Sequence, residues 1–270
     1  MESIPLRQEL NRFLNDFPRM KAVVFYFMNY LFLRSWYMQK EIKKWSKNQS
    51  GHKHVLDLGS GVGQYAHFIL KTFPKWSVTG VDKSEKNVCH CNGFFRKAVF
   101  KNFRFRSFDE YSFYGKSRYD LIVSAEMLSD LDLSDFKQKT DDPLDEWEMV
   151  QKLTHLLKAD GMLFFYWAPP QLQTNQGKEM HRHMRKRMVE ELKKLGYKQV
   201  KTSYIFGFFG QFSWRLSMQW PSFMIQKWPA LRFLLPLYFL FLFPFCFVFN
   251  YLDVHSAHLM GKRFLVKAYK

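Results

Sequence analysis

The chain has 270 residues, 47% of them hydrophobic and 19% aromatic, and a formal net charge of +17. That length holds one α/β domain of ordinary size plus an accessory element, and that apolar content excludes a globally disordered chain. The charge points to a polyanionic partner, nucleic acid or an anionic lipid surface, and its sign alone does not separate the two.

Residues 1–50 are basic and aromatic. The apolar run from Ala22 to Leu33 starts late and ends at Arg34 without a small-residue cleavage site, so it does not read as a signal peptide. It is too short to span a bilayer. Lys21, Arg34, Lys40, Lys43 and Lys44 flank it, which suits a helix lying on an anionic leaflet.

Residues 51–207 alternate strand and helix patterns. His54–Leu58 is a short apolar strand that runs into a glycine cluster. Gln64–Phe73 carries apolar residues at helical spacing and stops at Pro74. Ser77–Val81 is the next strand, ending at Asp82, and Ser84–Phe95 reads as a helix. Cys89, His90 and Cys91 fall on that helix. Residues two apart on a helix diverge and no second cysteine pair is present, so no metal is expected. With Cys246, the three cysteines form no disulfide framework and suit a reducing compartment.

Phe103–Phe108 is a third strand, ending at Asp109, and Tyr119–Ser124 a fourth. Asp142 and Pro143 suit the start of the next helix, which Asp160-Gly161 ends. Met162–Trp167 is a fifth strand. A helix with Met184, Met188, Leu192 and Leu195 on one face then stops at Gly196. Gln199–Phe206 and Phe264–Tyr269 are strands six and seven. Strands alternating with helices imply a mostly parallel sheet covered on both faces, with ligands at the carboxyl ends of its strands.

The chemistry-bearing signal is Asp57-Leu58-Gly59-Ser60-Gly61-Val62-Gly63, a strand entering a turn of alternate glycines with a helix behind it. Missing side chains let a ligand lie against the backbone, and the helix amino terminus faces an anionic group. A dinucleotide site places its third glycine three positions after the second; here that position is Gln64. The turn instead resembles motif I of class I S-adenosylmethionine-dependent methyltransferases. That resemblance extends over roughly residues 50–270. It implies an α/β, Rossmann-like sheet of seven strands, mostly parallel with an antiparallel last strand. It also implies S-adenosylmethionine as cofactor, held by Asp57, Gly59, Ser60, Gly61 and Gly63. Asp82 would accept from two ribose hydroxyls, Asp109 would contact the adenine amino group, and Phe108 would pack on its ring. Lys83 and Ser124 complete the cofactor set.

Within the class, the chain is most similar to a bacterial group distantly related to ubiquinone and menaquinone methyltransferases. Arg182-His183-Met184-Arg185 and Phe206-Gly207-Phe208-Phe209-Gly210-Gln211 carry that likeness. Arg187-Met188 and Glu126-Met127-Leu128-Ser129 depart from it at the acceptor side. Methyl transfer from a sulfonium is an in-line displacement, and a base is needed only where the acceptor must lose a proton. Glu126 and His183 are the candidate catalytic residues, with His181 beside them. A capping role for Glu126 and a solvated basic helix for the histidines are the alternatives.

Residues 208–261 are dominated by large apolar residues and are inserted before the last strand, 262–270. The run Phe233–Phe249 approaches the lower length limit for spanning. A crossing would leave the last strand on the wrong side, and Pro236 and Pro244 are expected to interrupt the helix. A re-entrant hairpin or a pair of interfacial helices is therefore expected, with Trp214, Trp220 and Trp228 in the interfacial belt. The two apolar runs packing on each other, or forming a homodimer interface, is the alternative.

The expected function is methyl transfer to a lipophilic small molecule, a quinone precursor or another lipid, on the cytoplasmic face of a membrane. A nucleic-acid methyltransferase is less favoured, because no Asn-Pro-Pro-Tyr-type motif follows strand four. A non-catalytic S-adenosylmethionine-binding scaffold is the third reading.

Overall fold

A computed structural model describes residues 20–109, 111, 113, 118–125, 128, 146–167, 177–256 and 263–270. It divides into a sheet unit, Gly51–Ser203 with Arg263–Lys270, and a helical unit, Met1–Ser50 with Tyr204–Lys262.

The sheet unit carries β1 (His54–Leu58), α3 (Gln64–Thr72), β2 (Ser77–Asp82), α4 (Glu85–Lys97), β3 (Phe103–Ser107), β4 (Tyr119–Ser124), α5 (Glu146–Leu156), β5 (Leu157–Trp167), α6 (Gly177–Lys194), β6 (Gln199–Ile205) and β7 (Arg263–Tyr269). The helices α1 (Lys21–Leu31) and α2 (Leu33–Ser46) precede these elements in the chain. The sheet has seven strands in the order β3-β2-β1-β4-β5-β7-β6. Strands β1 to β5 pair in parallel, and β7 runs antiparallel to β5.

After Leu58 the chain leaves β1 toward β2 on one side, and it returns at β4 on the other. The switch point of the sheet therefore lies between β1 and β4, at their carboxyl ends, where a crevice opens in folds of this kind. Burial explains why these segments form central strands. Val55, Leu56, Asp57 and Leu58 are all buried, as are Leu121 through Ser124, so both faces are covered.

The fifth strand starts earlier than its hydropathy suggests. Tyr119 pairs with Leu157 but Leu121 pairs with Met162, so the extra residues of β5 bulge out between the two pairs. Asp160-Gly161 sits in that bulge instead of ending a helix. Helix α5 stops at Leu156, and the Lys270 ammonium caps it by donating to the Thr154 and Leu157 carbonyls, at 2.7 and 3.0 Å. The proposed cap at Asp142 and Pro143 lies outside the described residues.

The helical unit joins the two apolar zones of the sequence. Besides α1 and α2 it holds α7 (Phe208–Trp214), a π turn (Arg215–Gln219), α8 (Trp220–Lys227), a 3-10 turn (Pro229–Leu234) and α9 (Leu235–His255). Contrary to expectation, α9 is one continuous helix. Pro236 falls in its first turn, where a missing N–H costs nothing, and Pro244 is accommodated inside it.

Polar groups fix α9 against α1 and α2. The chain is extended at Phe32, which breaks α1 from α2 and frees the last carbonyls of α1. Asn250 Nδ2 donates to Tyr30 O and Leu31 O, both at 3.0 Å, and Trp36 Nε1 donates to Tyr30 O at 2.7 Å. Asp253, one helical turn on, accepts from the Gly210 N–H at 2.7 Å and from the Tyr37 hydroxyl at 2.8 Å. A Cβ at Gly210 would lie 2.5 Å from Leu33 and 2.6 Å from the Asp253 carboxylate, so only glycine fits there. Leu31, Leu216, Leu242 and Cys246 form the apolar centre beside this network.

Candidate cofactor site

The turn after β1 is shaped by three glycines at positive φ: Gly59 at 73°, Gly61 at 53° and Gly63 at 87°. The Gly59 and Ser60 N–H groups both donate to Val81 O, at 2.8 and 3.0 Å, which ties the turn to β2. Gly63 then serves as the left-handed entry to α3. It is packed from below: a Cβ there would sit 2.9 Å from the Phe95 ring and 3.1 Å from Cys91 Sγ. Gly80 on β2 similarly makes room for Phe105. Gly61 differs. A Cβ there would meet nothing within 4 Å, so its bare backbone faces open space.

Asp82 joins the glycine turn to the end of β2 and the start of α4. One carboxylate oxygen accepts the Gly61 N–H at 2.7 Å; the other accepts the Ser84 N–H at 2.9 Å and Asn87 Nδ2 at 3.2 Å. The glycine turn and the start of α4 thus share one anion. Ser84 caps α4 by accepting the Asn87 N–H at 3.3 Å. Asn87 has no motif of its own in the sequence; only its place three residues after a capping serine marks it.

Asp57 is fully buried, and neither carboxylate oxygen makes a well-formed hydrogen bond, the Ala66 N–H being the donor turned toward it. Burial pushes its carboxyl up to about 7; the Ala66 N–H at the start of α3 works against this and the Asp82 charge adds to it. Ser60 Oγ is also buried without a partner. Two orphaned acceptor groups below a bare turn fit a ligand that brings its own N–H donors and positive charge, as the amino-acid end of S-adenosylmethionine does.

The remaining expected residues line the neighbouring strand ends. The Phe108 N–H donates to Asp82 O at 2.9 Å, which sets Phe108 and exposed Asp109 just beyond β3. The Phe108 ring lies 4.9 Å from Phe113, with Lys83 Nζ 5.9 Å above it. Ser124 ends β4 on the other side of the switch point, buried, and its hydroxyl accepts the Leu128 N–H at 3.2 Å. Glu126 lies outside the described residues. His181 and His183 fall on α6, and their side chains also lie outside them.

A family model described as "Methyltransferase domain" matches residues 56–163, the stretch from β1 into β5 that carries the glycine turn, Asp82 and Asp109. Residues 56–163 of the sheet unit are a methyltransferase domain of the class I, S-adenosylmethionine-dependent kind.

Solved structures agree on the fold of this methyltransferase. One is a putative sarcosine dimethylglycine methyltransferase from Galdieria sulphuraria, 12% identical, covering 86% of this chain and 81% of that one at a TM-score of 0.51. Another is phosphoethanolamine N-methyltransferase 2 from Haemonchus contortus, 15% identical, covering 91% and 56% at 0.52. The [4+2]-cyclase SpnF, 15% identical, covers 86% and 80% at 0.50. At these identities the likeness is one of fold alone, and the cyclase illustrates that the fold does not choose the reaction. No curated protein matches the sequence.

Proposed function

We propose that this methyltransferase transfers the methyl group of S-adenosylmethionine to a lipophilic small molecule, a quinone precursor or another lipid, at the cytoplasmic surface of an anionic membrane. The observation that carries the reading is the pairing, in one chain, of an open cofactor cradle at Gly61 with a helical unit, part of it inserted between β6 and β7, that exposes large apolar side chains.

The cofactor supplies an activated methyl group bound to a sulfonium. The chain's residues hold it. Gly61 gives close access to backbone, Asp57 and Ser60 offer buried acceptors, Asp82 stands at the end of β2 for a diol, and Phe108 offers an apolar ring at the end of β3. Their work is positioning and the exclusion of water, which is what an in-line displacement needs. Proton removal from the acceptor, where required, would fall to Glu126 or His183.

The membrane reading rests on composition and exposure. Leu237–His255 is long and apolar enough to cross a bilayer, and only 28% of it is buried within the protein. The described residues of the helical unit hold nine Lys and Arg, of which Lys21 is buried, against two acids, Glu41 and the buried Asp253. Such a surface suits anionic lipid.

The test is incubation of the full-length protein with methyl-labelled S-adenosylmethionine and total lipid extract, followed by phase partition. Label in the organic phase that disappears with Gly61→Val supports the reading. Label confined to RNA would favour a nucleic-acid methyltransferase, and no label anywhere would favour a scaffold.

A further inference from the structure

Helix α9 has two faces of opposite character. Leu242, Cys246, Asn250, Asp253 and Val254 are buried. Leu237, Leu240, Phe241, Phe245, Val248 and Leu252 are exposed at helical spacing, forming an apolar stripe about 22 Å long. No charged side chain interrupts that stripe. From the chain's membrane association, as proposed above, we infer that α9 lies within a single leaflet, parallel to the membrane plane, with both of its ends at the same surface.

The neighbours of α9 decide against crossing. Phe27 meets Phe243, Tyr30 and Trp36 meet Phe247, Asn250 holds the end of α1, and Asp253 binds Tyr37. Lys40 Nζ donates to Val254 O at 2.8 Å. Helices α1 and α2 therefore accompany α9 from Phe243 to its carboxyl end. A spanning α9 would carry α2, with exposed Lys40, Lys43 and Lys44, into or across the bilayer. Each charge placed at the bilayer centre costs about 2.5–3.5 kcal/mol on insertion scales. Helix α1 has 11 residues and is too short to cross beside it. An α9 lying in the plane immerses its apolar stripe and leaves those lysines at headgroup level.

Helix α8 supplies an anchor at that level. Phe223 and Trp228 are exposed with ring centroids 6.3 Å apart and planes at 85°. Lys227 Nζ lies 5.7 Å from the first ring and 5.0 Å from the second. An apolar phenyl ring and an amphipathic indole under one ammonium match the boundary between acyl chains and anionic headgroups.

The experiment uses full-length protein carrying Cys89→Ser, so that the exposed native thiol is removed. Single cysteines are introduced at exposed positions, Gln226→Cys on α8, which precedes the amino end of α9, Ser256→Cys at the carboxyl end of α9 and Leu240→Cys on its stripe. Each is bound from outside to sealed vesicles of phosphatidylcholine and phosphatidylglycerol and treated with a membrane-impermeant maleimide. The expected result is full labelling at residues 226 and 256, and at least tenfold slower labelling at 240 than in vesicle-free solution. Labelling of 226 or 256 only after detergent would show a crossing and overturn the inference while leaving membrane association intact. Unprotected 240 on vesicle-bound protein would overturn it as well. Failure of the protein to float with the vesicles would remove both the inference and the membrane role it rests on.

Discussion

The carboxylate of Asp82 accepts the backbone N–H of Gly61 at 2.7 Å, joining the end of β2 to the tip of the glycine turn after β1. Because the same carboxylate also holds Ser84 and Asn87, one side chain ties the glycine turn to the start of α4. Asp82→Ala leaves these donors without their acceptor. The expected cost is about 1–3 kcal/mol in thermal or denaturant unfolding, together with at least a tenfold loss of S-adenosylmethionine affinity by calorimetry.

Gly61 and Gly63 are predicted to separate binding from folding. Both have positive φ, but a methyl at 61 enters open space, whereas a methyl at 63 meets Phe95 and Cys91. Gly61→Ala should lower stability by about 1–2 kcal/mol, the cost of a left-handed alanine, while cofactor affinity falls at least tenfold. Gly63→Ala should cost about 3 kcal/mol through strain and overpacking together. Paired urea unfolding and cofactor titration of the two variants checks the contrast.

A pH effect follows from Asp57. Its folded value of about 7 lies above the ordinary carboxylate value of 3.8, so the empty protein binds a proton there that the unfolded chain releases. The stability contribution of this group is complete below about 4 and is lost as pH rises through 7. His67 acts in the opposite sense. Burial, with a smaller effect of Lys71, lowers its value from 6.5 to about 4, so its contribution is complete above 6.5 and falls as pH drops toward 4. Asp57→Asn should therefore leave a stability profile that rises more steeply between pH 4 and 6.5. Thermal unfolding across that range measures it. A cationic cofactor group beside Asp57 should also expel the proton, so binding heats near pH 6 should vary with the ionisation enthalpy of the buffer and cease to do so in Asp57→Asn.

Asn250→Leu tests the lock between α9 and the α1–α2 break. The substitution keeps the branched outline of the side chain, slightly enlarged, but strips the donor from the Tyr30 and Leu31 carbonyls. A loss of about 1–3 kcal/mol is expected. Amide exchange should speed up in residues 21–46 and stay unchanged in β1 and β4.

The cofactor half of the molecule was readable because its determinants are local. Central parallel strands show as short apolar runs, and Asp57, Asp82 and Asp109 follow in order at or beyond strand ends. The start of β5 was hidden because Leu157–Gly161 continues a helical pattern and ends in a typical turn pair; its pairing with β4 across a bulge leaves no local trace. The continuity of α9 through Pro244 was hidden for the converse reason, a local rule overridden by packing along one buried face. The bonds from Asn250 to Tyr30 and Leu31, and from Asp253 to Tyr37, join residues more than 200 positions apart, so no periodicity announces that the two apolar zones form one unit.

The most direct measurement is titration of S-adenosylmethionine into the purified full-length protein by calorimetry, alongside Gly61→Val. Saturable binding to a single site in the wild type, absent in the folded variant, is the predicted result. No heat of binding to folded wild-type protein at millimolar nucleoside would contradict the cofactor site and the enzyme reading built on it.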